Sequence, residues 1–234
     1  MIHEPFLKIL GQNGQPIHGG TGTWSLPQGD QPGAWMPSIK NLVPCQRGYH
    51  LFTPSQALDW LVNECTIWAA EGRGACLEAS DTSVWAEARL LWQLSWSLQI
   101  AVLFAADCAE RILPLFENLY PSDARPRHAI QTSRAWARGE IDLAARAAAE
   151  AAAGTAAGDA AGVAAEAAAG TAARAAAGDA AWVTARAATG AAAGAAAGAA
   201  AGTAARDAAW DAARVAERSW QAAQLWRYLS GALS

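Results

Sequence analysis

The sequence predicts an α+β chain in two parts, a small N-terminal α+β domain over residues 1–92 and an all-α, alanine-rich helical bundle or stack over 93–234. Two observations carry this division. Six of the 12 tryptophans and seven of the 10 prolines fall before residue 93, among short apolar runs and turn signals. Residues 144–215 are instead a tandem tetrapeptide, Ala-Ala-x-x, and no strand signal appears after Ser95.

Phe6-Leu7-Lys8-Ile9-Leu10 is a short apolar run followed by Gly11-Gln12-Asn13-Gly14 and Gln15-Pro16-Ile17, a pattern that predicts a small hairpin with Pro16 on an edge strand. Residues 19–37 are rich in Gly, Pro, Ser and Thr and form an ordered loop only if Trp24, Trp35 and Met36 tuck into the core. After Thr53-Pro54, the positions of Ala57, Leu58, Leu61, Val62, Cys65 and Trp68 predict an amphipathic helix over 55–70. Ala75–Ala79 and Val84–Leu90 read as strands, the second also being compatible with a helix. From Ser95 the pattern is helical over 96–117 and, after Tyr120-Pro121, over 123–138, with Gly139 as the cap between helices.

The tetrapeptide runs for 18 copies, with Thr184 and Thr189 interrupting the alanine pairs and nine glycines all in the third slot. Gly-Thr recurs at 154, 170 and 202, which adds a period of 16. Each interior glycine costs about 1 kcal/mol against alanine, so nine would cost roughly 9 kcal/mol unless tight packing or helix ends absorb it. Four residues advance about 400° around a helix, so the alanine stripe drifts about 40° per tetrad and one straight helix cannot hold it against one partner. The expectation is two to four shorter helices folded on each other, closer than the usual 8–10 Å or so between axes. Trp182, Trp210, Trp220 and Trp226 would fill the ends of the stack. The alternatives are an Ala/Gly linker without fixed structure and an ice-binding helix, but Arg, Glu, Asp and Trp keep consistent slots and the threonine spacings do not follow the helix phase.

A hydrophobic fraction of 53% coexists with a mean hydropathy of only +0.05, because much of it is alanine. The longest apolar run, 90–106, is interrupted by Gln93, Ser95, Ser97 and Gln99, so no membrane association is expected. Net charge is −4 without a long acidic block, which argues against direct nucleic-acid binding. Met1-Ile2-His3-Glu4-Pro5 lacks the basic and apolar regions of a secretory signal, which leads to the expectation of a cytoplasmic protein whose four cysteines are free thiols. No C-x-x-C pair and no clustered histidines are present, so neither a metal nor another cofactor is expected. Cys45 and His50 are the one pair with the chemistry of a nucleophile and base, and fixing a loop turn is the competing role.

Asp107-Cys108-Ala109-Glu110-Arg111-Ile112-Leu113-Pro114-Leu115-Phe116-Glu117, then Tyr120-Pro121, Asp123, Arg125-Pro126-Arg127, Ala129-Ile130 and Arg134-x-Trp136-Ala137-x-Gly139-Glu140, resemble the immunity proteins of bacterial polymorphic-toxin systems. The resemblance covers roughly 100–230 and implies an α-helical protein that binds and neutralises a cognate toxin, with no catalytic residues. The segment Trp35-Met36-Pro37, Asn41 to Cys45 and Arg47-Gly48-Tyr49-His50-Leu51 is similar to an uncharacterised phage and bacterial domain over about 1–92. Together these imply a phage or mobile-element protein aimed at a toxin or at a bacterial defence complex, of the anti-CRISPR kind.

The functional expectation is therefore a non-enzymatic inhibitor, with an enzyme centred on Cys45/His50 or an oligomerisation scaffold as alternatives. Its partner-binding candidates are Arg206, Asp207, Trp210, Asp211 and Arg214 in the last tetrads, with Arg125 and Arg127. Asp207 and Asp211 stand one turn apart with like charge, which is mildly unfavourable and points to a cation or a basic partner completing the site. Arg125 and Arg127 are also placed to pair with Asp107, Glu110 or Glu117, while Asp123 or Ser122 caps the next helix.

Overall fold

A computed structural model of the chain describes residues 4–62, 64–159 and 206–233, without the side chains of 154, 157–159 and 206–214. It separates into two compact units, one formed by Met1–Trp96 with Leu225–Ser234 and the other by Ser97–Gln224. The four-stranded antiparallel sheet of the first and the helices of the second make the chain α+β.

Four strands build the sheet: β1 (Phe6–Leu10), β2 (Tyr49–Leu51), β3 (Thr66–Glu78) and β4 (Ser83–Gln93), in the order β1-β3-β4-β2. Leu7 and Phe52 also exchange both main-chain hydrogen bonds, at 2.7 and 2.9 Å, so the two edge strands meet and the sheet closes on itself. The core inside includes Leu10, Trp24, Leu51, Trp68, Ala70 and Leu90, all under a tenth exposed. Gly72 lies under the Trp85 ring, where a Cβ would come within 2.2 Å of ring carbon. The Gly/Pro-rich loop is indeed ordered: Gly33, Met36 and Ile39 donate main-chain bonds to Leu90, Ala88 and Ala86 along β4, and Trp24 is buried. Trp35 is covered by the guanidinium groups of Arg73 and Arg89, each paired with a carboxylate directly across the ladder, Glu87 and Glu71.

Two local expectations are corrected. Residues 15–17 form no strand: Asn13 turns at φ 58° inside a 3-10 turn over Gln12–Gly14, Pro16 has no N–H for a ladder, and β1 pairs with Thr66–Ala70 instead. The helix over 55–70 is only α1 (Pro54–Ala57), closed at its start by reciprocal Thr53 and Gln56 capping bonds. Glu64 adopts φ 52°, and β-branched Thr66 and Ile67 then enter a strand paired on both sides. Val84–Leu90 is strand, within β4.

Helix α2 (Leu98–Glu117) starts at Ser97, whose hydroxyl accepts from the Ile100 amide, and buries Val102, Phe104, Ala105, Ala109, Ile112 and Phe116. Helix α3 (Arg125–Ala137) ends where expected: Gly139 sits at φ 75°, with Gly139 N–H bonded to Trp136 and Glu140 N–H to Ala135, a Schellman motif. Asp142 caps α4 (Leu143–Asp159) through the Ala145 amide, and Ala149 and Ala153 pack on Ala129 of α3. The buried positions 146, 149, 153 and 156 follow the 3.6-residue period, so the inward alanine moves from the second slot of the tetrad to the first. Residues 160–205 of the repeat, including Trp182, lie outside the described residues. Helix α5 (Arg206–Leu229) contributes half-buried Trp220 and Trp226, and its end closes the first unit through buried Leu225 and Leu229 and a bond from Ser95 N–H to the Leu229 carbonyl. No described helix is long and apolar enough to cross a membrane.

Candidate functional site

In the helical unit, the charged residues singled out in the sequence are spent first on holding helices together. Arg134 of α3 reaches Asp107 at 2.5 Å and Glu110 at 2.7 Å on α2. Asp107 also accepts from Gln224 Nε2 of α5 at 2.6 Å, while Arg111 pairs with buried Glu217 at 2.6 Å and lies over Trp220. Gln221 donates to Glu217 as well. These bonds tie α2 to both α3 and α5. The same side-chain bonds raise Arg134 above the usual guanidinium range and lower Glu110 below the usual carboxylate range.

Arg125 and Arg127 stand at the start of α3. Arg127 is bidentate to Glu117 at 2.6 Å for both bonds, and Arg125 is bidentate to Asp123, whose Oδ1 also accepts the Arg125 amide. Hydrogen bonding to arginine holds Asp123 below its ordinary pKa. Leu119, 60% exposed, lies in the same connection between α2 and α3 that leads into these two arginines. Arg206, Asp207, Trp210, Asp211 and Arg214 fall within α5, with their side chains outside the described ones.

Cys45 and His50 do come together in the sheet unit, through the wrong atoms for a nucleophile and base. His50 Nε2 accepts the Cys45 main-chain N–H at 2.9 Å, across a tight turn in which Val43 and Arg47 are bridged. Cys45 adopts φ 60° and Gly48 φ 127° to make that turn. Burial, then the Lys8 charge, lower the His50 pKa, which keeps the acceptor nitrogen bare at neutral pH. The other thiols are shifted the wrong way for nucleophiles: burial first raises Cys65, Cys76, to about 11, and Cys108. All four cysteines are free, and among the described residues no three of His, Cys, Asp and Glu gather to hold a metal.

Sequence reasoning missed the cavity beside this turn. It has a volume of about 420 Å³ and is walled by Trp24, Tyr49, Phe52 and Trp60, with Lys8 and His50 between them. Lys8 Nζ donates to the His50 carbonyl at 3.0 Å and lies 5.0 Å from the centre of the Trp24 ring.

The helical unit is thus stitched together by ion pairs, with two arginines held by carboxylates where α2 leads into α3. Residues 97–227 match the family model described as Imm-5 like putative immunity protein, more than half of the 234 residues, and the chain belongs to this family. No curated protein and no solved structure matches the chain.

If the Cys45–His50 pair serves the turn alone, Cys45→Ser and His50→Gln leave target neutralisation within about threefold of the parent, because a main-chain donor and a glutamine acceptor preserve the bond at a cost of about 1 kcal/mol or less. Dose–response curves for neutralisation, read beside melting curves, check this. Abolished activity in either variant at unchanged stability moves the site to this turn.

Proposed function

We propose that the chain neutralises a protein toxin in the cytoplasm by binding it stoichiometrically through the helical unit, without chemistry of its own. The observation that carries this reading is the family match over 97–227. Support comes from the α2–α3 corner: Leu119 offers apolar surface, while Arg125 and Arg127 present guanidinium groups whose orientation is already set by Asp123 and Glu117. Side chains held in place before binding lose less entropy on contact. The proposed surface takes in the start of α5, where Asp207 and Asp211 lie one turn apart among Arg206, Trp210 and Arg214 and would receive a basic patch of the toxin.

The test begins with the tagged full chain as bait, followed by transfer of each captured protein to a growth assay with and without the chain. The reading requires a captured protein that is toxic alone and harmless beside it. Capture of a component of a bacterial defence complex, with no toxic protein, would instead favour the anti-defence role and phage origin drawn from the N-terminal resemblance. With the captured toxin, Asp207→Lys together with Asp211→Lys weakens binding at low salt by more than about tenfold, or about 1.4 kcal/mol, without lowering the melting temperature. Unchanged affinity in that double variant removes the start of α5 from the interface.

A further inference from the structure

The cavity of the sheet unit has no place in toxin binding by the helices, yet its lining is chemically one-sided. Eighteen residues line it, and they include Lys8, Arg47, His18 and His50 but no Asp or Glu. At about 420 Å³ it is in the range of small-ligand sites, about 300–1,000 Å³.

Its walls are fixed before any ligand arrives. Trp24 meets Tyr49 edge-on with centroids 5.5 Å apart, Phe52 stacks on Trp60 at 5.5 Å, and the Tyr49 hydroxyl donates to the Pro37 carbonyl at 2.8 Å. No ring turns without giving up a partner.

Aromatic walls by themselves also suit cations. Here the Lys8 ammonium already lies over Trp24, and the lining offers no carboxylate to an incoming positive charge. Among the described residues Lys8 makes no ion pair, and its anchor is the neutral His50 carbonyl, so two of its three N–H bonds are left for other acceptors. Desolvation without a counter-charge lowers Lys8 to about 8, the direction that an anion placed beside it would reverse.

We propose that this cavity binds a small planar anion, an aromatic or heteroaromatic ring carrying one negatively charged group, with the ring between the tryptophans and the charge at Lys8 and Arg47. Two sources share that chemistry, aromatic carboxylic acids and mononucleotides. A basic aromatic pocket of this kind gives the protein a small-molecule input separate from its toxin contact.

The experiment is calorimetric titration of the full chain at pH 7 with 1-naphthoate and with adenosine 5′-monophosphate. Their neutral counterparts, 1-naphthalenemethanol and adenosine, and inorganic phosphate run alongside. At least one anionic probe is expected to bind with a micromolar Kd, about tenfold or more tighter than its neutral counterpart and than phosphate; which one binds names the source. Lys8→Met is expected to weaken that probe about tenfold or more, and Arg47→Gln, on an exposed side chain, about threefold.

Raising the pH from 7 to 9 weakens the parent about tenfold, because the binding form is protonated Lys8 and that form is lost as pH climbs through its value of about 8. Among the neighbouring groups, His50, lowered by burial and then by the Lys8 charge, moves away from this interval and Tyr49 is raised, while Cys45, which also lines the cavity, is controlled by repeating the series on Cys45→Ser, where the weakening must persist. The pH series leaves Lys8 in place and so decides the matter even if Lys8→Met fails to fold. Neutral probes equal to the anions, phosphate equal to the nucleotide with no naphthoate binding, absence of binding by both anions, or a flat pH series overturns the proposal.

Discussion

Gly48→Ala is expected to lower the stability of the sheet unit by about 4 kcal/mol, combining about 1–3 for a side chain forced into a glycine-only conformation with about 1–3 for overpacking. Gly48 sits at φ 127°, and a Cβ there would stand 2.4 Å from Val84 Cγ1 and 3.1 Å from Leu42 Cδ2. Val84 is fully buried in β4, so it has nowhere to move. Gly74→Ala is the control. Its φ is also positive, at 79°, but the nearest neighbour is the Ala86 Cβ at an ordinary 3.4 Å, so about 1 kcal/mol of conformational cost remains. Urea unfolding followed by tryptophan fluorescence measures both. Equal costs for the two variants would show that crowding at Val84 is relieved cheaply and that the Cys45–His50 turn is less rigid than described.

Arg134→Ala is expected to cost the helical unit about 2 kcal/mol, less than the 3–5 or so for breaking a fully buried pair, because Arg134 is about a quarter exposed and Glu110 about half. The loss leaves Asp107 and Glu110 as adjacent like charges on α2, one of them still bonded to Gln224. Arg134→Lys recovers only part, since an ammonium supplies the charge without the planar fork that reaches both carboxylates. The pH dependence has a fixed sign. Hydrogen bonding to Arg134 lowers the Glu110 pKa in the folded state, so this stabilisation is full above the ordinary carboxylate range and disappears as pH falls through the folded value. The difference between parent and Arg134→Ala in urea unfolding should therefore shrink between pH 7 and pH 3. A difference that stays constant over that interval would assign the loss to packing of the arginine stem.

The described helices α2 to α4 were largely legible because their signals are local. The Tyr120-Pro121 break separates α2 from α3, Gly139 ends α3 through bonds made within a few residues, and the spacing of Val102, Phe104, Ala105 and Ala109 needs no knowledge of partners. The sheet was less legible because its choices are made at long range. Leu58, Leu61, Cys65 and Trp68 carry a helical period, but Thr66–Ala70 becomes a strand once Phe6–Leu10 and β4 flank it, and neither is visible from a short window. The arginine pairings show the same limit on a smaller scale. In the sequence Asp107, Glu110 and Glu117 are all open to Arg125 and Arg127; Glu117 takes Arg127, Arg125 turns to Asp123, and Asp107 and Glu110 go to Arg134, two turns further along α3. The cavity left no motif at all, since its tryptophans and its lysine come from separate loops and strands between residues 8 and 60.

One unit of this protein is discontinuous in the chain: Met1–Trp96 is completed by Leu225–Ser234, with all of Ser97–Gln224 between. During vectorial synthesis the strands are made early, yet the side chains of Leu225 and Leu229 and the carbonyl that receives Ser95 N–H emerge only after the entire alanine tract. The entropy of closing so long an intervening segment grows only logarithmically with its length, so the cost at equilibrium is modest. The kinetic consequence is larger. At about 5–20 residues per second, the nascent sheet waits many seconds for its last buried helical turn, and slower translation through the repeat lengthens that wait.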